Sequence, residues 1–296
     1  MVGHGYPGNK LALRKQFMPQ NASLLDRIIQ LIDSGGLQLP IYNPIALKLQ
    51  EAINAKNEDI AEIEKLILSD QVAAAEVLRA ANSPFFCGLS PVRTIRNAIM
   101  RLGTQQMRRL VVLVGERAKY TAQDPMLHDR LLKLWPHAST TALASQWLSK
   151  RLRSTGIEEI CFLGGLLHDI GKLVILRAAD EIKKSEKDKS LFSLQAVDNL
   201  LRSAHCELGC RLLLSWNTPE IYCQIARDHH SEDLSEDLPL AIVRLANEGS
   251  RRLGLGLDPN TGLILAATPE ANMLQVSKKL LSELEVMIEE HLFIAA

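Results

Sequence analysis

The sequence predicts an all-α protein. Of its 296 residues, 47% are hydrophobic and only 4% aromatic, and Leu, Ile, Val and Ala dominate the apolar set. That composition suits packed helices better than a β-sandwich. Apolar residues recur at three- and four-residue spacing in one segment after another. Ser, Thr, Asp and Asn stand repeatedly just ahead of those segments, where helix N-caps belong.

Met1 to Gln20 is Gly-rich, then basic, without periodicity, and reads as a flexible leader. Ser23 opens the first helix over the stripe Leu24, Leu25, Ile28, Ile29, Ile32, with Asp26 placed to complete a capping box. Gly35-Gly36 stops it. Asn43-Pro44 opens the next as N-cap and N1 proline. A further helix spans about 58–68, and Asp70 caps an Ala-rich one over 71–81. Asn82-Ser83-Pro84 breaks the chain into a short loop holding Phe85 and Phe86, read chiefly as buried packing. Thr94 and Thr104 cap two more helices, the second with Met107, Leu110, Val111 and Val114. Residues 21–122 thus form an N-terminal helical unit, bounded by the polar stretch Thr121 to Pro125.

Residues 126–296 form a second helical unit. Leu127 to Leu152 carries Pro136, which predicts a kink or restart just before His137. Glu158 to Ala178 reads as one apolar helix, Lys183 to Ser190 as a solvated loop, and Ser193 to Trp216 as another helix. Thr218-Pro219-Glu220 starts a helix that ends at Asp228-His229-His230, and the acidic loop Ser231 to Asp237 follows. Leu240 to Leu253 carries Asn247. The stretch Leu255 to Leu265 leaves room for short strands, and Pro269 to Phe293 is one long helix or a pair.

Charge and cysteine usage exclude several classes. Lys plus Arg equals Asp plus Glu at 34 each, so there is no overall basic footprint for nucleic acid. The run Lys150 to Arg153 reads as a solvated helix end. The five cysteines lack CxxC spacing, and Cys161 and Cys223 lie among apolar residues, a pattern for a reducing compartment. No secretory h-region is present, and no apolar run nears the roughly 20 residues that span a bilayer. The expectation is a cytoplasmic protein without membrane contact.

The chemistry concentrates in Gly164 to Lys172, Gly-Gly-Leu-Leu-His-Asp-Ile-Gly-Lys. His168-Asp169 offers an imidazole and a carboxylate at neighbouring positions, the start of a divalent-metal site able to activate water against a phosphate. Singly, a histidine is more often structural. Here His137, His168, His205, His229 and His230 fall on successive helices of one unit, whereas His4, His128 and His291 stand outside the pattern. His205, Cys206 and Cys210 leave a zinc site open as a lesser alternative.

The second half resembles the HD superfamily of metal-dependent phosphohydrolases, through Trp135-Pro136-His137-Ala138, Leu166 to Lys172, His205 to Gly209 and Asp228-His229-His230. The whole chain resembles the HDOD proteins, through Leu39-Pro40, Ser69-Asp70, Arg79 to Phe86 and Ile95 to Gly103. The resemblance implies an HD-like helical domain packed with an N-terminal HDOD subdomain. It implies that His137, His168, Asp169 and a later acidic position surround one metal. His205, His229 and His230 would hold a second, Asp169 would bridge the two, and Lys172 would sit near a substrate phosphate. One or two ions of iron, manganese, zinc or nickel suit such nitrogen and carboxylate donors.

Two positions depart from the HD pattern. The last aspartate is replaced by Asn247, a neutral and poorer ligand. The Gly-Tyr-Pro stretch of cyclic di-GMP phosphodiesterases is absent, and Ser231-Glu232-Asp233-Leu234 stands there instead. The expected function is therefore that of a stand-alone HDOD regulatory protein with a protein partner in signal transduction and an HD-type metal site. The alternative is an active phosphohydrolase or phosphodiesterase acting on a nucleotide or another phosphorylated small molecule, with Asp169 and Lys172 catalytic.

Overall fold

The computed structural model describes residues 23–34, 60–68, 71–82, 91–117, 119–154, 156–185, 193–231 and 237–295. The leader, Gly35-Gly36, Asn43-Pro44, Asp70 and the Phe85-Phe86 loop lie outside them. Every regular element among the described residues is helical, as the composition and periodicity predict. The strands allowed for in Leu255 to Leu265 do not form. Gly254 and Gly256 turn there with φ of 82° and 91°, values that left-handed glycines accept and strands do not.

Helix α1 (Leu24–Asp33) carries the predicted capping box: Ser23 Oγ accepts the Asp26 N–H at 3.2 Å, and Asp26 Oδ2 accepts the Ser23 N–H at 3.1 Å. Its Leu24, Ile28 and Ile32 enter one apolar cluster with Trp135, Phe162 and Leu173, so α1 packs against the second half of the chain. A smaller core forms where α2 (Ile60–Leu68), α3 (Gln71–Ala81) and α4 (Ile95–Arg117) meet, through Ile63, Ile67, Val77, Ile99 and Met107. Thr94 caps α4, its hydroxyl accepting the Asn97 N–H at 3.1 Å. Helix α4 breaks at Gly103 (φ 77°, ψ 160°) and resumes at Thr104, the division the sequence predicts.

The second half is arranged around α5 (Pro125–Arg151), capped by Asp124. The connector before it is held by Asp180, 1% exposed, whose carboxylate accepts the N–H groups of Gln123 and Asp124 at 3.1 and 3.0 Å. Of the kink or restart expected just before His137, the restart does not occur: α5 runs through Pro136 as one helix. A proline costs a helix one hydrogen bond and crowds the carbonyl four residues back, and here Leu134, Trp135, His137 and Ala138 on either side are buried. Helix α6 (Glu158–Leu167) lies close on α5 because Gly165 meets it: a Cβ there would stand 2.8 Å from Ala142 Cα and 2.8 Å from Thr141 O. Only glycine permits that approach.

The predicted single helix over 158–178 is two, α6 and α7 (Ile170–Ser185), with His168 and Asp169 at the turn between them. Lys183 to Ser185, expected in a loop, extend α7. The predicted helix over 193–216 likewise divides at Ala204 into α8 (Leu194–Ser203) and α9 (His205–Ser215). Helix α10 (Glu220–Asp228) begins without a side-chain cap. The Thr218 hydroxyl expected there donates instead to Leu213 O at 2.5 Å. Helix α11 (Leu238–Arg252) is capped by Asp237. The C-terminal stretch is a pair, α12 (Pro269–Met273) and α13 (Lys278–Ala295), which closes a third apolar cluster over α5, α6 and α11 through Leu148, Cys161, Leu245, Leu284 and Ile288.

Candidate metal centre

Chain turns, rather than helix middles, deliver most of the polar groups. His168 is the C-cap of α6 and His229 the C-cap of α10. The same local device orients both rings. His168 Nδ1 stands 2.7 Å from Gly165 O, and His229 Nδ1 stands 2.9 Å from Ala226 O. A carbonyl only accepts, so each Nδ1 carries the proton and each Nε2 presents a lone pair to the interior. His137 comes from the middle of α5, His205 from the first position of α9, and Asn247 from α11. All but His230 are buried.

Asp169 sits at the centre of this arrangement, 3% exposed. Its Oδ2 faces His137 Nε2 and His168 Nε2, each at 3.5 Å. Its Oδ1 faces His229 Nε2 at 3.3 Å and His205 Nε2 at 3.6 Å. Two groups of donor atoms result: His137, His168 and Asp169; and Asp169, His205, His229 and His230, with all atoms of a group within 4.8 Å of one another. The structure thus gathers the six histidine and aspartate positions named from the sequence, and the carboxylate stands between the two halves. Asn247, 2% exposed, borders a small cavity of about 20 Å³ with His137, Lys172 and His230. Space of that size admits one water-sized body.

The polar atoms of the cluster do not satisfy one another. Asp169 Oδ1, His229 Nε2, His137 Nδ1 and His205 Nδ1 are buried without hydrogen-bond partners. In a neutral His229 ring whose Nδ1–H donates to Ala226 O, the Nε2 lone pair points at a carboxylate oxygen, which is also an acceptor. His137 Nε2 and His168 Nε2 approach to 3.2 Å, a hydrogen bond when His137 carries its proton on Nε2. Acceptors facing acceptors in a buried site are costly unless a cation or a proton lies between them. The donor set, imidazole nitrogen with one carboxylate, is the kind that holds a divalent transition ion.

Charge in the cluster is set by burial and by Lys172. Burial alone would raise the Asp169 carboxyl. The Lys172 ammonium, 2.8 Å from Oδ2, and the surrounding imidazoles hold it well below the usual carboxylate range. Burial drives His168 well below the ordinary imidazole value, lowers His137, and pushes His205 down to about 4, in each case against the pull of Asp169. Neutral imidazoles beside an ionised carboxylate are the protonation states that ligate a cation.

The low value at His205 makes a pH prediction. The unfolded chain takes up the His205 proton near its ordinary 6.5, the folded chain only near 4. Between those values the unfolded state binds more protons, so stability is full above about pH 6.5 and falls as the pH drops towards 4. In chelated protein the urea midpoint should be lower at pH 5 than at pH 7.5, and His205→Gln should flatten that slope. Equal midpoints would mean the ring titrates normally when folded.

Helices α7 and α9 cross in backbone contact. A Cβ on Gly171 would fall 1.8 Å from His205 O, and one on Gly209 would fall 3.1 Å from Gly171 N. This crossing sets His205 opposite Asp169. The cluster opens on a groove of about 1100 Å³, bordered by Arg130 and Lys133 of α5, Arg202 of α8, His205, His230 and the 254–259 loop. Cys206 stands at its edge, Sγ 3.3 Å from His205 Nε2, whereas Cys210 is buried in the main apolar cluster. The Cys206–Cys210–His205 zinc alternative is therefore not assembled. Sequence reasoning passed over Arg251, which borders both the groove and the small cavity. Its only sequence signal is that it lies one helical turn after Asn247.

Comparison with known proteins supplies the family. The HDOD domain family matches residues 39–232. An uncharacterized protein of Treponema pallidum (strain Nichols) is 27% identical over 214 residues, 71% of this chain and 39% of that protein. The chain thus spans about two fifths of that relative's length. Among solved structures, an HDOD domain protein of unknown function from Geobacter sulfurreducens superposes with a TM-score of 0.63 at 21% identity, covering 90% of this chain and 94% of its own. A protein from Shewanella amazonensis SB2B, provisionally described as a metal-dependent phosphohydrolase, gives 0.66 at 18% identity, covering 90% and 98%. One from Marinobacter aquaeolei VT8, provisionally described as a signal transduction protein, gives 0.58 at 18%, covering 92% and 64%. At these identities the structural likeness speaks for the fold. Among the described residues no helix is long and apolar enough to cross a membrane. With nearly two thirds of its length matched and the helical architecture shared, the chain belongs to the HDOD domain family.

Proposed function

We propose that this chain is a regulatory HDOD protein whose second half holds one or two divalent transition-metal ions. The observation that carries the reading is Asp169: one carboxylate oxygen faces His137 and His168, the other faces His205 and His229. His230 would complete the second set, and Asn247 would stand by the first. A divalent ion held there supplies Lewis acidity towards a phosphoryl oxygen. The chain's own groups hold the carboxylate ionised, favour neutral rings at His137, His168 and His205, and place the Lys172 ammonium at the groove.

Regulation is favoured over turnover on charge grounds. Asn247 contributes no negative charge where the HD pattern has an aspartate, and Lys172 is engaged by Asp169 at 2.8 Å rather than free for a phosphate. A protein partner in signal transduction fits that reading. The phosphohydrolase reading is supported by the groove of about 1100 Å³ that leads to the cluster, large enough for a nucleotide-sized ligand.

Elemental analysis of protein purified without added metal tests the proposal. About one or two transition ions per chain are expected. No bound metal, even after incubation with manganese or iron, would overturn it.

A further inference from the structure

Arg251 lies on the last turn of α11 and borders both the groove and the small cavity beside His137 and Asn247. Its side chain is 22% exposed. Two hydrogen bonds hold it: Nη1 donates to Glu248 Oε1 at 2.8 Å, and Nε donates to Asp258 O at 3.0 Å. Its third contact is loose. Asp258 Oδ2 stands 3.5 Å from Nη2, beyond a good hydrogen bond, and that carboxylate is 80% exposed. A pair so solvated contributes little.

Lys133 and Arg202 border the groove away from the small cavity, and two further cations are already committed. Arg130 grips Asp198 with two bonds of 2.9 Å, and Lys172 is held by Asp169 at 2.8 Å. Arg251 gives Nη1 to Glu248 but leaves Nη2 without a close acceptor, and of these cations only Arg251 and Lys172 also border the small cavity beside the centre. The Arg251 backbone carbonyl also ties down the loop that covers His137, and Arg251 Nε donates to Asp258 O within that loop. Arg251 O accepts the N–H groups of Gly254 and Asn260, at 3.1 and 2.9 Å. Within that loop Gly256, with φ of 91°, rests its backbone on the His137 ring, and a Cβ there would lie 3.1 Å from Cγ.

From this geometry we propose that Arg251 is the anion-recognition residue of the groove. It takes a phosphoryl group of the ligand in a bidentate contact, in exchange for its loose contact with Asp258. Asp258 is then an internal competitor for the guanidinium, and its release loosens the loop on His137. The proposal rests on reading the groove as the approach to the metal centre.

Titration of the full chain with inorganic phosphate, followed by calorimetry, tests it, with metal content measured in every variant. Arg251→Gln should weaken phosphate binding about tenfold or more, the scale of a charge-assisted pair. Asp258→Asn should tighten it about two- to fivefold, the scale of an exposed ion pair. Asp129→Asn removes another acid of the same groove without touching Arg251, and should change binding less than Asp258→Asn does. Metal content should be unchanged in all three. Unaltered binding in Arg251→Gln would overturn the proposal, as would weakened binding in Asp258→Asn, the result of a purely structural latch. Equal tightening in the two aspartate variants would also overturn it, because the general field would then be the cause. If the protein holds no metal yet binds phosphate through Arg251, only the reading of the metal centre fails.

Discussion

Asp169→Asn is expected to empty the centre of metal while leaving the helices in place. Asparagine keeps the shape of the side chain and removes its charge. In the folded protein that charge is shared between two histidine sets, through oxygens 3.3 to 3.6 Å from four imidazole nitrogens. Any ion bound at either set would therefore lose its anionic donor in one substitution. Loss of a partner that only orients a ligand costs roughly 10–100-fold in metal affinity, so loss of the ligand itself should cost more. Elemental analysis should fall from about one or two ions per chain to near none, and circular dichroism should report unchanged helix content. Metal retained at the wild-type level would mean that the histidines bind without the carboxylate, and the bridging role would be wrong. His137→Ala and His229→Ala divide the question further, because each damages one set and leaves Asp169 to serve the other.

The sequence exposes this much because the cluster is built from local backbone chemistry. Caps at Ser23 and Thr94 lie where the residue types place them, whereas those at Asp124 and Asp237 stand in stretches that read only as a boundary and an acidic loop. His168 and His229 each follow an i−3 carbonyl that fixes the ring, a relation contained within one helical turn. The chain breaks at His168-Asp169 and at Ala204 are not legible in the same way. Nothing between Glu158 and Ala178 is a strong helix stop apart from glycines that also fit a helix, and the apolar run masks the turn. What demands the turn is tertiary: α7 must cross α9 closely enough to set His205 opposite Asp169. The partner of α1 was equally hidden, since an amphipathic stripe says that one face is buried but not against what. The run Gly254-Leu255-Gly256-Leu257 alternates like a strand, but its glycines serve positive φ and close contact with His137.

Gly171→Ala is expected to be among the most damaging single-methyl changes in the chain. The added carbon would stand 1.8 Å from His205 O and 2.7 Å from His205 C. Neither atom belongs to a side chain that could rotate aside, so relief requires α7 and α9 to separate. Ordinary overpacking of a core costs about 1–3 kcal/mol, and a clash with backbone this deep should exceed that range. The same movement would draw His205 away from Asp169, so metal content and thermal stability should fall together. Gly164→Ala is the matched control. Its new methyl group also lies too close to a neighbour, 2.7 Å from Ile225 Cδ1, but that atom is the end of a flexible side chain. A change of rotamer relieves the contact, and Tm should drop by far less. If Gly171→Ala melts like wild type and keeps its metal, the close crossing of α7 and α9 does not hold His205 in place. If both variants lose stability equally, the difference between a backbone and a side-chain obstacle is not what decides the cost at this crossing.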